Sequence, residues 1–271
     1  MDTINHTVYK NNLTLRVLIL ALALFLCFSS YSKIRITIID TGFCPNKLKL
    51  SKNVTINKVI DLTNSVKLDC NSVIASDRRY HGQHVLETLL KDIKTELIIT
   101  PLIIFDKDKR QTPKYWQAAF SSEITAQTDI FLIAAGLPYK DHIDLVNTKI
   151  EKIVFVASGI QDRWITKEDK LFPQQQAVKN DRILIISDFY PKTKYDTAYV
   201  DKKNKYQENV SYYFPNKGEN VQFTGSSYAV AKALNKALLI CDYKSEELFL
   251  TCLKTKSKKI SIDDRKKAYT Y

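Results

Sequence analysis

The sequence predicts an α/β fold with a central, mostly parallel sheet and helices on both faces, and three observations predict it. Short apolar runs recur along the chain, segments of helical pattern lie between them, and no internal repeat or low-complexity stretch breaks the alternation. Each apolar run is nearly continuous and bounded by polar residues, as a strand reads when helices cover both its faces.

The elements follow in chain order. "KIRITIID" (33–40) reads as a strand that runs into a Thr-Gly turn. "HGQHVLETLLKDI" (81–93) reads as a helix, "ELIITPLIIF" (96–105) as a strand, and "PKYWQAAFSSEITAQ" (113–127) as a helix. Three further strands are expected from "DIFLIAAG" (129–136), "KIVFVASG" (152–159) and "RILIISDF" (182–189). Residues 190–220 are polar, lysine-rich and weakly periodic, and read as a long loop or short surface hairpin. "SYAVAKALNKALLI" (227–240) closes the pattern with a helix.

A chain of 271 residues, 45% hydrophobic and 26% charged, can bury a sizeable core and is not a disordered tail. Its one long apolar run, residues 13–28, is broken by Thr14 and Arg16, and the uninterrupted part from Val17 to Phe28 spans 12 residues. A membrane-spanning helix needs about 20. The run therefore fits a signal-peptide core, with Lys10 and Arg16 as its positive flank and Ser30 and Ser32 as small residues near a cleavage point. Residues 1–32 are read as a signal peptide or an N-terminal membrane anchor, and residues 33–271 as one exported domain. Without the first 32 residues the net charge falls only from +12 to +11. The lysines are scattered and lack interleaved aromatic residues, so the basic balance reads as a solvated surface and no nucleic-acid partner is expected. Cys44, Cys70, Cys241 and Cys252 remain, an even number that permits two disulfides in an exported chain. Pairing of Cys44 with Cys70 and of Cys241 with Cys252 is the local arrangement among three.

Residues that carry chemistry in open α/β sheets collect beyond the carboxyl ends of strands. Asp40 sits at such an end in "IIDTG", His81 opens a helix in "HGQHVLE", and Ser227 opens another in "TGSSYAV". Taken singly, these are a turn former, a solvated or capping histidine, and a helix N-cap. Together they are a carboxylate, an imidazole and a hydroxyl. A serine becomes a nucleophile when an imidazole takes its proton, and the imidazole needs a carboxylate to fix its tautomer.

In "DTG" at 40–42, "HGQHVLE" at 81–87 and "GSSYA" at 225–229, the sequence resembles the subtilisin-like serine peptidases. Their signatures are Asp-Ser/Thr-Gly, His-Gly-Thr-His-Val-Ala-Gly and Gly-Thr-Ser-Met-Ala in this chain order. The resemblance spans about residues 34–240 and implies a three-layer subtilisin-like fold. It implies further that Asp40 orients the imidazole, His81 is the general base and acid, His84 is a packed structural position, and Ser227 is the nucleophile. "DIFLIAAGLP" resembles the family's substrate-pairing segment, which places Ala134, Ala135 and Gly136 along a peptide added as a strand, with an apolar or aromatic preference beside the cleaved bond. No cofactor is expected. The family's structural calcium finds no run of alternating Asp and Asn here, and no metal ligand is assigned.

The pattern also departs from the family. Where the family has an oxyanion-holding Asn after Ala-Ala-Gly, this chain has Ala157, Ser158, Gly159 and then Ile160; Gln161, one position on, is the candidate donor. Gln83, Leu86 and Glu87 replace Thr, Ala and Gly, and Tyr228, Ala231 and Lys232 replace Met, Pro and His. About seven residues separate Ser32 from Asp40, where secreted members carry a prodomain. The expectation is a monomeric, exported serine endopeptidase acting on a peptide or protein, in which residues 13–28 give membrane association if they are retained. The alternative is a catalytically impaired chain of the same fold acting as a peptide-binding or regulatory module.

Overall fold

The computed structural model describes residues 33–71, 77–108, 110–139, 145, 148–159, 170–190, 209–216, 223–262 and 265–271. The expected signal or anchor and its apolar run at 13–28 lie outside the described residues, as do Ile160 and Gln161. Residues Ile34–Tyr271 pack as one unit.

The strand Ile34–Asp40 (β1) lies at the centre of the sheet because its side chains find apolar partners on both faces. Ile36 and Ile38 pack into one core, and Ile39 into the other. On its flanks are Leu97–Ile103 (β4) and Ile130–Ile133 (β5), both parallel to it, with Asp40 opposite Ile103 and Ile39 opposite Ile133. Beyond β4 come Val54–Ile56 (β2) and Ile60–Asp61 (β3). Beyond β5 come Ile153–Ala157 (β7), Ile183–Phe189 (β9) and Tyr212–Pro215 (β10). Among the described residues these eight strands form one all-parallel sheet. Leu137–Tyr139 (β6) and Lys170–Phe172 (β8) form a separate antiparallel pair.

Register at the centre is pinned by charge. The Arg35 guanidinium and backbone N–H both donate to the Asp129 carboxylate, at 2.6 to 3.1 Å, which ties the entry of β5 to the entry of β1. Beside them Thr128 Oγ1 donates to the Ile124 carbonyl at 2.7 Å, so the 2.6 Å contact between Thr37 and Thr128 has Thr37 as its donor. Two buried hydroxyls are thereby satisfied.

His81–Leu90 (α1), Ser226–Ile240 (α4) and Glu246–Lys256 (α5) cover one face of the sheet. Val85, Leu86, Leu89, Val230, Leu234 and Phe249 bring them into one core with Ile38, Leu132 and Phe155. Pro113–Ala119 (α2) and Ser122–Ala126 (α3) cover the other, where Trp116, Ala119 and Phe120 meet Phe131, Ile133, Val154 and Ile185. The three layers match the sequence expectation. The segment 113–127 is two helices instead of one: Phe120 ends the first, and the Ser121 hydroxyl caps the second by accepting from Ile124 N at 3.5 Å.

Sequence reading missed α5, the strands β2, β3 and β10, and a terminal hairpin of Lys258–Ile262 (β11) and Arg265–Thr270 (β12). Within the stretch expected to be a loop or hairpin, Tyr212–Pro215 is a parallel edge strand paired to β9. The hairpin delivers Tyr271 beneath α4, where its hydroxyl donates to the Ala233 carbonyl at 3.1 Å and its ring meets those of Tyr212 and Phe214 edge-on. Burial holds that phenol well above its ordinary pKa. The structure pairs Cys44 with Cys70 and Cys241 with Cys252.

One buried amide joins the two helices that matter most for the site. Asn235 on α4 is fully buried, and its Nδ2 donates to the carbonyls of Leu89 at 2.8 Å and Lys91 at 2.7 Å, at the carboxyl end of α1. Its Oδ1 accepts from Lys232 Nζ at 3.1 Å. Replacing Asn235 with Ala orphans both carbonyls in the core, and urea denaturation should show a loss of about 2–3 kcal/mol.

Candidate active site

β1 ends in a carboxylate that water barely reaches. Asp40 is 1% exposed, and its Oδ1 accepts the backbone N–H of Thr41 at 2.6 Å. The His81 Nδ1 lies 2.8 Å from Oδ1 and 3.0 Å from Oδ2. A carboxylate only accepts, so Nδ1 carries the proton and Nε2 is left as the ring's free lone pair when the imidazole is neutral.

The first turn of α1 is built from the turn that follows Asp40. Gly82 N donates to Thr41 Oγ1 at 3.1 Å and Gln83 N to the Gly42 carbonyl at 3.1 Å, so the exit of β1 satisfies amides that the helix itself cannot. Gly82 has no room for a side chain: a Cβ there would lie 2.8 Å from the Phe43 ring and 3.1 Å from the Asp40 Cβ. The departures at Gln83 and Glu87 belong together. Gln83 Oε1 accepts from Cys44 N at 2.9 Å while its Nε2 donates to Glu87 Oε1 at 3.0 Å, and Glu87 Oε2 faces His84 Nδ1 at 3.3 Å. The bond from His84 lowers the Glu87 carboxyl below its ordinary value against the opposing effect of burial, with help from the Gln83 amide. His84 is buried, away from Asp40, and its Nε2 has no partner among the described residues.

Ser227 sits in the first turn of α4. The residue at the cap is Gly225, whose φ of 83° suits glycine and which has no side chain to bond the first amides. The reading of Ser227 as an N-cap is therefore corrected: a residue already inside the helix cannot supply the cap geometry. Its hydroxyl instead donates to the Ala134 carbonyl, just past β5, in a long bond of 3.4 Å. Among the described residues no hydrogen bond joins Ser227 to His81. The Phe223 ring lies between the two elements, 5.3 Å from the His81 ring and 5.9 Å from that of Tyr228, centre to centre. The structure thus brings Asp40 and His81 into contact and sets Ser227 at the end of the strand beside them.

A pocket of about 260 Å³ opens next to Ser227, with Ala134, Ala135 and Gly136 on one wall and Ala157 and Gly159 on another. Sequence reasoning missed the residue that joins these walls. Gln174, 1% exposed, donates through Nε2 to the carbonyls of Ala135 at 3.0 Å and Ala157 at 2.9 Å. A Cβ on Gly136 would stand 2.7 Å from that nitrogen, so the segment passes over the amide only as glycine. The Gly136 carbonyl accepts from Gln111 Nε2 at 2.8 Å, and Trp116 Nε1 donates to Gln111 Oε1 at 2.9 Å. All three carbonyls from Ala134 to Gly136 thus hold an internal donor. Among the described residues no group of three His, Cys, Asp or Glu is placed to hold a metal ion.

Burial is the largest influence on His81 and disfavours its charge, but the charge and hydrogen bond of Asp40 outweigh it, with a smaller lowering from Arg78. The net result is a pKa above the ordinary 6.5. Because the folded value lies above the unfolded one, the pair's contribution to stability is complete below the unfolded value and fades as pH rises through the folded one. His81→Gln should therefore cost more stability at about pH 5.5 than at about pH 8.5, as measured by urea denaturation at both. Gln174→Met keeps the volume and strands two carbonyls, and should cost about 1–3 kcal/mol by the same method.

No family model matches this sequence, and no curated protein matches it. Among solved structures, the chain is similar to a lanthipeptide protease, with a TM-score of 0.59 and 13% sequence identity over 82% of this chain and 79% of that one. It is also similar to a cold-adapted subtilisin-like serine proteinase, with a TM-score of 0.58 and 13% identity over 88% of this chain and 89% of the other. At such identity the likeness is one of fold, and the fold is subtilisin-like.

Proposed function

We propose that this chain is an exported serine endopeptidase that hydrolyses peptide bonds through Asp40, His81 and Ser227. The observation that carries the proposal is the buried carboxylate at the end of the central strand, held 2.8 Å from the Nδ1 of an imidazole whose other nitrogen makes no hydrogen bond among the described residues. In this reading His81 Nε2 takes the Ser227 proton as Oγ attacks a peptide carbonyl, and then gives it to the leaving amine. The positive end of α4 and the backbone N–H of Ser227 favour the oxyanion that forms, and Gln161 supplies the second donor. The pocket beside Ser227 takes the side chain next to the cleaved bond, and the segment Ala134–Gly136 lies along the peptide. Export is supported by two disulfides, which persist in oxidising compartments, and by the apolar run at 13–28. The protein acts as a monomer without a cofactor.

A specific observation favours a second reading, a catalytically impaired chain of the same fold that binds peptides or regulates. The Ser227 hydroxyl is bonded to the Ala134 carbonyl and not to His81, and Ile160 stands where the family has its oxyanion Asn.

Labelling with a fluorophosphonate separates the two. The first reading expects the wild-type chain to be modified at Ser227 and Ser227→Ala to stay unmodified, read by mass spectrometry; no label on folded wild type leaves the second. With a peptide substrate, Asp40→Asn should lower turnover by roughly 10⁴. Gln161→Ala should lower it by roughly 10² to 10³. The base must be neutral, so kcat/KM should fall on the acid side through a pKa above 6.5, the ordinary imidazole value that Asp40 raises.

A further inference from the structure

A second cavity, of about 80 Å³, opens on the other side of β1 from the pocket at Ser227. Thr41 and Gly42, the two residues after Asp40, form part of it, and four cations line it: Lys67, Arg78, Arg79 and Lys107. The cavity lies by the exits of β1 and β4, whereas the first pocket lies by the exits of β5 and β7. His81 follows Arg78 by three residues, and the Arg78 charge reaches its ring. Eighty cubic ångströms is too little for a nucleotide but enough for one side-chain carboxylate.

Two features distinguish this cluster from an ordinary solvated basic face. First, most of its charge has no ion pair among the described residues. Arg79 is paired with Asp77 at 2.7 Å, but Lys67, Arg78 and Lys107 have no ion pair among the described residues. The one carboxylate in the lining, Asp106, is occupied by the amides of Asp108 and Arg110 and by the Arg110 guanidinium. Second, the three loops that carry the cations are tied together. Gly42 N donates to the Arg79 carbonyl at 2.9 Å, and Lys107 N donates to Ser65 Oγ at 3.1 Å. Asp61 Oδ2 accepts Val66 N at 3.0 Å, and the Cys44–Cys70 disulfide closes the same region. A Cβ on Gly42 would lie 2.5 Å from the Arg79 carbonyl oxygen, so the β1 exit and the Arg79 loop touch backbone to backbone. The backbones that carry the cations are thereby held in place, so the loops need no reordering when an anion arrives, while the four cationic side chains themselves reach solvent.

We infer that this cavity binds the carboxylate of an Asp or Glu side chain in the substrate peptide, within a few residues of the bond beside His81. The inference rests on the peptide-binding reading above and adds the chemistry that selects the peptide. The net positive charge of the whole chain attracts acidic peptides over neutral or basic ones.

The test uses the full chain carrying Ser227→Ala, which binds without turnover, and fluorescein-labelled decapeptides that differ only in having Glu, Gln or Lys at one position. Fluorescence anisotropy should find a position where Glu binds about tenfold more tightly than Gln, a difference that shrinks as salt is raised. The preference should vanish with Arg78→Gln plus Lys107→Gln, and turn toward Lys with Arg78→Glu plus Lys107→Glu. Should the charge-reversed chain lose its circular dichroism signal, Lys67→Gln alone should still narrow the gap between Glu and Gln. Equal affinity for Glu, Gln and Lys at every position overturns the inference, as does a preference for Glu that survives charge reversal in a folded chain. Binding of none of the peptides overturns it as well, and fluorophosphonate labelling of the wild-type chain then shows whether the peptidase reading falls with it.

Discussion

A carboxylate at the end of a central strand, almost closed off from water, is the constraint around which this molecule is arranged. Removing an isolated carboxylate from water costs far more than one domain can spare, so Asp40 is tenable only with donors already in place. They come from two directions. The Thr41 amide comes from the turn itself, and the His81 ring comes from a helix that must start at one point in space. The bonds from Gly82 and Gln83 back to that turn fix the start, and Asn235 fixes the far end by gripping the last carbonyls of α1 from α4. The helix that carries Ser227 is thus held against the helix that carries His81 by a buried amide as well as by their shared apolar core. Cores decide that the layers pack; these few polar contacts decide where the ends of the elements stand.

The strands that carry the fold were legible in the sequence because each is buried on both faces. Such burial leaves a nearly continuous apolar run, and β1, β4, β5, β7 and β9 all show one. Tyr212–Pro215 was hidden because an edge strand of four residues inside a lysine-rich stretch has no run to display. The lysines of the terminal hairpin obscured its strands in the same way. The helix α5 did carry a readable start, with the Ser245 hydroxyl accepting from Leu248 N and two glutamates in the first turn.

The site divides along a similar line. Asp40 and His81 were legible because each sits in a motif at the end of an element, and the contact between them follows from the position of α1 over β1. Gln174 was not. A glutamine in a run of three has no chemical signature, and its importance arises only when the fold sets the carbonyls of Ala135 and Ala157 on either side of its amide. The cap assigned to Ser227 failed for a related reason. A serine after glycine reads the same whether the helix begins before it or at it, and only the left-handed backbone at Gly225 decides between the two.

Ala229, Ala231, Ala233 and Ala237 line α4 with no measurable exposure. A helix face buried by methyl groups can admit no larger side chain without pushing neighbours off their rotamers, at about 1–3 kcal/mol for each intrusion. Lys236 and Leu239 on the outer side of α4 are exposed and can vary in size, whereas its inward-facing alanines leave almost no room for added volume. Sequence divergence in a chain of this shape is therefore uneven by physical necessity, and alanine is where it stops.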